Sequence, residues 1–276
     1  MIDNHADVAA QPTLRSRAPA YSVMQECLRI QATAPPQSAA ARLFGQNPLH
    51  PEARSWYRGA LGEIEVAEVL SKLGSDWTVL HAVPVGSGSS DIDHVVIGPA
   101  GVFTINTKNH TGKIFVAGGT LSVNGHKTDH IRNSLHEAGR ASRLLSISAG
   151  TPVRVTPLIV LVSTEPIKKG RTKPKVTVLP SNWLSRWLKR RPRILSEQSI
   201  ERYAKLAEQR GTWHAQPVVF DDTLRHVQRF QRLQHEIALA RQRNRTWIAM
   251  ATLLPIAMAI VLIAVLPGVI MAGLNH

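Results

Sequence analysis

The pattern of apolar and polar positions divides the chain into four stretches. Residues 1–50 are rich in Ala, Pro, Gln and Ser, with Pro35-Pro36 in the middle, and predict a mostly disordered arm with at most a short helix over 21–30. Order is expected to begin near Trp56. Residues 61–73 have helical spacing: Val66, Val69, Leu70 and Leu73 share one face, Glu65, Glu68 and Lys72 the other, and Gly74 is a stop. Glu63 falls beside Ala67 and Leu70 at the edge of the apolar face, where an acid needs a reason. Strand-like runs follow at 77–83, 91–97 and 102–108, separated by a Gly/Ser turn at 86–90 and by Gly98-Pro99-Ala100-Gly101. A hairpin around Gly118-Gly119 (112–116 with 120–123) and a helix over 129–145 are expected next. The unbroken apolar run 155–162 reads as a strand buried on both faces, and 176–179 as one more short strand. Basic helices are expected over 183–191, 196–210 and 223–243.

The fourth stretch is uncharged. From Trp247 to Leu274 there is no Asp, Glu, Lys or Arg. A bilayer core needs about 20 apolar helical residues, and 247–266 supplies them. Pro255 and Pro267 would break a soluble helix, but membrane helices tolerate proline, with Pro267-Gly268 as the expected end of the straight part. Arg241, Arg243 and Arg245 precede the span and only Asn275 and His276 follow it, so the positive-inside rule puts the N-terminal side in the cytoplasm. Residues 1–10 carry Asp3 and Asp7 and no apolar run, which argues against a secretory signal peptide. Together these predict a single-pass, tail-anchored membrane protein.

Charge sharpens the division. The chain has 276 residues and a net charge of +14. Residues 1–165 carry 14 Lys/Arg against 13 Asp/Glu, whereas 166–246 carry 19 against 6, so nearly all the positive charge lies in the third stretch. Lys168, Lys169, Arg171, Lys173 and Lys175 form one cluster, and Arg186, Lys189, Arg190, Arg191 and Arg193 another. Nucleic acid suits such a surface through phosphate contacts. Anionic lipid suits it too, above all for residues 225–245 beside the span. The single cysteine, Cys27, excludes an internal disulfide framework and a multi-cysteine zinc site.

Candidate chemistry concentrates on one hairpin. If Ile97 pairs with Val102, Asp93 lies opposite Asn106 and Asp91 opposite Lys108, all four on one face. Two carboxylates, an amide and an amine then meet on one patch of sheet. The plain alternative is a solvated sheet face with an Asp91–Lys108 ion pair. His94 alternates to the opposite face and reads as a packed or hydrogen-bonded histidine rather than a ligand, and Asn109 and His110 would line the rim.

Gly62-Glu63, then Asp91-Ile92-Asp93-His94, then the run from Gly101 through Asn106-Thr107-Lys108-Asn109, then Gly112-Lys113, resemble the NERD (nuclease-related) domain, a branch of the PD-(D/E)xK restriction-endonuclease-like superfamily. The resemblance covers about residues 57–162. It implies an α/β fold: a helix, a mixed central sheet, a crossover helix and a further strand, here followed by basic helices and one C-terminal transmembrane helix. It also implies divalent-metal-dependent hydrolysis of a nucleic acid, with DNA as the expected partner and Mg²⁺ or Mn²⁺ as cofactor. By the same resemblance Glu63, Asp93, Asn106 and Lys108 are the catalytic candidates. Glu63, Asp91, Asp93 and Asn106 are the metal-ligand candidates, and Lys108 activates the attacking water or stabilises the phosphorane. Asn106 departs from the pattern, which has Glu or Asp there. An amide oxygen can ligate Mg²⁺ but brings no charge. The expected organisation is a disordered arm (1–50), a NERD domain (51–165), a basic, mainly helical segment (166–246) and a transmembrane helix (247–274). Two functions follow: a membrane-anchored nuclease, or a membrane-tethered binding module for nucleic acid or protein with weakened catalysis.

Overall fold

A computed structural model describes residues 13–86, 91–162, 166–214 and 223–273. The chain opens with a short 3-10 turn at Leu14–Ser16 and three helices, α1 (Tyr21–Gln31), α2 (Ala39–Leu43) and α3 (Ala53–Leu70). Three antiparallel strands follow, β1 (Thr78–Pro84), β2 (Asp91–Gly98) and β3 (Gly101–Lys108). The turn at 98–101 closes β2 and β3 in the expected register, Ile97 against Val102. Next come the short strands β4 (Ile114–Ala117), β5 (Thr120–Val123) and β6 (His126–Thr128) and the crossover helix α4 (His130–Ala149). Strand β7 (Val155–Leu161) then lies parallel to β3, as a right-handed helical crossover favours. Beyond it are β8 (Lys168–Lys169), β9 (Thr177–Pro180), α5 (Ser181–Lys189), α6 (Glu197–Glu208), α7 (Arg210–Trp213) and α8 (Thr223–Gly273).

The central sheet has the order β1-β2-β3-β7-β9, and a smaller sheet has the order β6-β5-β4-β8. Helices cover both faces of the central sheet. On one face Leu80, Val95, Ile97 and Val102 pack with Ala138, Ala141 and Leu145 of α4 and with Ile200, Ala207 and Trp213. On the other, Val96, Phe103, Ile105, Leu158 and Val160 pack with Val66 and Leu70 of α3 and with Leu184 and Leu188 of α5. Buried between layers, β7 is apolar without alternation.

Residues 13–50 correct one expectation. They are folded: Met24, Cys27 and Leu28 of α1 join Ala53, Tyr57 and Ala60 of α3 and Phe230, Leu233 and Ile237 of α8 in a third apolar cluster. Overall composition hid a short amphipathic pattern, Met24, Cys27 and Leu28, whose partners on α3 and α8 stand 25 to 213 residues away. The first twelve residues of the arm lie outside the described residues, as does 87–90 of the expected turn. A second correction concerns residue 165. The central sheet continues past it, because β9 pairs with β7 at Leu158–Leu161 and α5 packs on the sheet. The third is α8. The expected basic helix and the expected span are one helix of 51 residues that runs through Pro255 and past Pro267-Gly268. Within 223–263 it holds a segment apolar and long enough to cross a membrane, and that segment is not buried against the protein.

Candidate functional site

The β2–β3 ladder stops at His94–Ile105, while β3 goes on pairing with β7 as far as Lys108. Asp93 takes over where the ladder stops: its Oδ2 accepts the Thr107 backbone N–H at 2.6 Å. Opposite it on β1, between the pairs His81–His94 and Val83–Ile92, buried Ala82 has φ +46°. A non-glycine residue in that region costs about 1–3 kcal/mol and persists only where its surroundings force it. The strain sits beside the candidate acid.

Glu63 arrives from α3. The close approach depends on Gly62, since a Cβ there would stand 3.0 Å from Asn109 Cβ and 3.5 Å from Thr107 Cγ2. Asn109 Nδ2 in turn donates to the Arg58 carbonyl at 2.9 Å, fastening the end of β3 to the helix. Glu63 is buried, with 6% of its surface exposed. Burial holds its carboxyl well above the usual range; Asp93 and Asp91 push the same way, and Lys108 and the Ala20 amide oppose them. Asp93 is also raised by burial, against Lys108 and the Thr107 N–H. Glu63, Asp93 and Lys108 thus form one electrostatic cluster.

Asp91 has a different partner from the one its register suggests. Arg17, from the N-terminal stretch, donates to Asp91 Oδ2 at 2.9 Å, and Ser22 Oγ donates to the same oxygen. Burial still raises Asp91, with Arg17 and Ser22 opposing. Among the described residues Lys108 forms no ion pair within 4.0 Å, so the plain Asp91–Lys108 pair is replaced by Asp91–Arg17.

Asn106 is 5% exposed. Its Nδ2 donates to Oε1 of Glu137, on α4, at 2.7 Å. Its own Oδ1 and Glu137 Oε2 are buried without a hydrogen-bond partner. Burial pushes the Glu137 carboxyl up to about 6; the Asn106 amide and Lys108 lower it, and Asp93 raises it. Glu137 was not among the sequence candidates, yet it carries the signal that singled out Glu63. It shares a helical stripe with Ser134, Ala138 and Ala141, all buried, so it is an acid on a core-facing side.

The histidines pair with each other. His94 is fully buried and its Nδ1 lies 2.8 Å from His81 Nδ1, in keeping with a packed, hydrogen-bonded role. Burial holds His81 down at about 4 and His94 well below the usual imidazole range. At the rim His110 and His130 stack with Nε2 atoms 2.8 Å apart, and burial and then Lys108 hold both down, His130 to about 4. Both basic clusters are exposed. Lys168 and Lys169 are carried on β8, at the edge of the small sheet beside β4. Arg191 stacks on Trp187 at 4.0 Å. Among the described residues, no three His, Cys, Asp or Glu side chains converge closely enough to hold a metal ion.

Residues 58–162 match the family described as NERD, nuclease-related domain. An uncharacterized protein of Bacillus anthracis is 43% identical over 63 residues, 21% of this chain. The match spans 30% of that relative's length. No solved structure matches the chain.

Proposed function

We propose that this chain, whose residues 58–162 are a nuclease-related domain, is a membrane-anchored nuclease that hydrolyses DNA phosphodiesters with Mg²⁺ or Mn²⁺ at the cytoplasmic face. The observation that carries the reading is the cluster of buried Glu63 with half-buried Asp93 and Lys108 where β2 and β3 part. Buried carboxylates cost several kcal/mol unless a charge compensates them, and the chain places two beside a single ammonium.

The donors fit a hard divalent cation. Glu63, Asp93 and the amide Oδ1 of Asn106 are oxygen ligands of the kind Mg²⁺ prefers, and that Oδ1 is buried with no partner. When bound, the metal lowers the pKa of a water and neutralises charge on the phosphoryl oxygens. The protein's own groups do the rest. Thr107 fixes one oxygen of Asp93, so its other oxygen has a defined direction. Lys108, at the end of β3, adds a positive charge for the developing phosphorane in a site of low dielectric. Arg17 neutralises Asp91, which leaves that residue to hold the N-terminal stretch on the sheet rather than to repel the substrate. The exposed clusters at 168–175 and 186–193 supply the sequence-independent phosphate contacts. Helix α8 supplies the anchor, and its arginines at 241, 243 and 245 both set the cytoplasmic orientation and meet anionic headgroups.

A binding-only module is the second reading, favoured by Asn106 and by the lack of a closed three-ligand cluster among the described residues. The test is cleavage of duplex and single-stranded DNA and of RNA by the detergent-purified full chain, with Mg²⁺ or Mn²⁺, beside Asp93→Ala and Lys108→Ala. Metal-dependent cleavage lost in both variants supports the nuclease. Retention of DNA without cleavage by the parent supports the module.

A further inference from the structure

We propose that Glu137, on α4, supplies the metal-binding carboxylate that β3 lacks at Asn106, and that Asn106 turns its amide oxygen toward the same cation. The inference rests on the nuclease reading above and adds a ligand that the motif does not contain. Three observations converge. First, Asn106 and Glu137 are joined by one hydrogen bond of 2.7 Å, and each keeps one buried oxygen with no partner, Oδ1 on the amide and Oε2 on the carboxylate. A buried acceptor without a partner costs about 1–3 kcal/mol. Two on one bonded pair, the amide being 95% buried, mark the place where a donor or cation is missing. Second, the hydrogen bond fixes the amide: with Nδ2 committed to Glu137, Oδ1 is the atom left for a cation. Third, Asp91 already has a cation of its own, Arg17, whereas Glu137 forms no ion pair within 4.0 Å among the described residues, so its carboxylate is open to a cation from outside the chain.

The strand acid of the family pattern and the helix carboxylate are then interchangeable in charge. The predicted equivalence is an exchange: a carboxylate at 106 facing an amide at 137 should hold the ion as the present amide facing a carboxylate does. A carboxylate at both positions should be unfavourable without metal, because two anions would meet across a 2.7 Å contact.

The experiment is Mn²⁺ titration calorimetry on the detergent-purified full chain, with thermal melting of each metal-free protein as the check on folding. Glu137→Gln keeps a hydrogen-bonding partner for Asn106 and should melt like the parent, yet bind Mn²⁺ about tenfold or more weaker. The exchanged pair Asn106→Glu with Glu137→Gln should return to within about threefold of the parent affinity. Asn106→Glu alone should melt lower without metal and regain that loss on adding Mn²⁺. Parent-like Mn²⁺ affinity in Glu137→Gln, or an exchanged pair no better than Glu137→Gln, overturns the inference and leaves the nuclease reading standing. A parent that binds no Mn²⁺ at all overturns both.

Discussion

Arg17→Ala tests how the N-terminal stretch is built into the site. Arg17 and Asp91 are largely buried, with side-chain exposures of 11% and 12%, and meet at 2.9 Å. Arg17 also donates to Ser22 Oγ at 3.1 Å and stacks over Tyr21 at 4.5 Å. Removing one partner of a buried pair strands the other charge and costs about 3–5 kcal/mol. For a domain of this size each kcal/mol moves the melting temperature by about 2–4 °C, so the drop should be about 6–20 °C at pH 8. The pH dependence identifies the cause. Burial already raises the Asp91 carboxyl and Arg17 pulls it down, so losing Arg17 raises it further. Above that raised value Asp91 is an unpaired anion and the full penalty applies. As the pH falls through it, Asp91 takes up a proton and the penalty shrinks. Melting of the detergent-purified protein at pH 8 and pH 5, with Asp91→Asn and the double variant completing a cycle, separates charge from packing. A loss below about 1 kcal/mol at pH 8, or an equal loss at both pH values with no rescue by Asp91→Asn, refutes the buried-pair argument.

Three further outcomes are expected. Phe230→Ala removes a ring that is 1% exposed and packed 5.5 Å from Tyr57, so it should cost about 3–5 kcal/mol and free the start of α8 to limited proteolysis; an unchanged digestion pattern would contradict the docking of α8 on the domain. The His81–His94 pair has lowered folded pKa values, so it contributes stability present above about 6.5 and lost as the pH falls toward about 4. Replacing both with Leu should change little at pH 8 and reduce the loss on acidification, and an acid profile identical to the parent's would rule the pair out. Carbonate washing should leave the full chain in the membrane fraction and release a chain cut before Trp247; retention of the truncated chain would disprove a single anchor.

The hairpin of β2 and β3 was legible because Gly98-Pro99-Ala100-Gly101 fixes its register locally, and β7 because a strand covered on both faces shows as an unbroken apolar run. Glu63 was legible as an acid on an apolar stripe. The burial of α1 was not, since Met24, Cys27 and Leu28 acquire meaning only through α3 and α8. Asp91 was matched with the wrong cation for a related reason: strand alternation names the neighbour within the sheet, while Arg17 comes from a segment distant in sequence. Glu137 lay on a helix read for its apolar positions alone, although its place beside Ser134 and Ala138 was visible on the same wheel. Short strands such as β6 and β8, three and two residues long, carry too few side chains for any periodicity.

Helix α8 has no joint where the domain ends and the apolar stretch begins. Phe230, Leu233 and Ile237 are set into the domain. Just beyond them Gly45, at φ +68°, lets the chain close on the helix, where a Cβ would meet the Ala240 carbonyl at 2.3 Å. Trp247 Nε1 then donates to the Leu43 carbonyl at 2.8 Å and its ring rests on Phe44. From Phe230 to Trp247 is about 26 Å along the axis at 1.5 Å per residue. A leash of that many residues would let the domain roam a hemisphere; this arrangement is a mast. On a bilayer it would keep the candidate site at one altitude and one tilt, free only to drift in the plane and swivel about the membrane normal. Under the nuclease reading proposed above, DNA would be met only as it passes through one thin slab beside the membrane, and the rate would be set by how often the polymer crosses that slab rather than by the bulk concentration of ends or duplex.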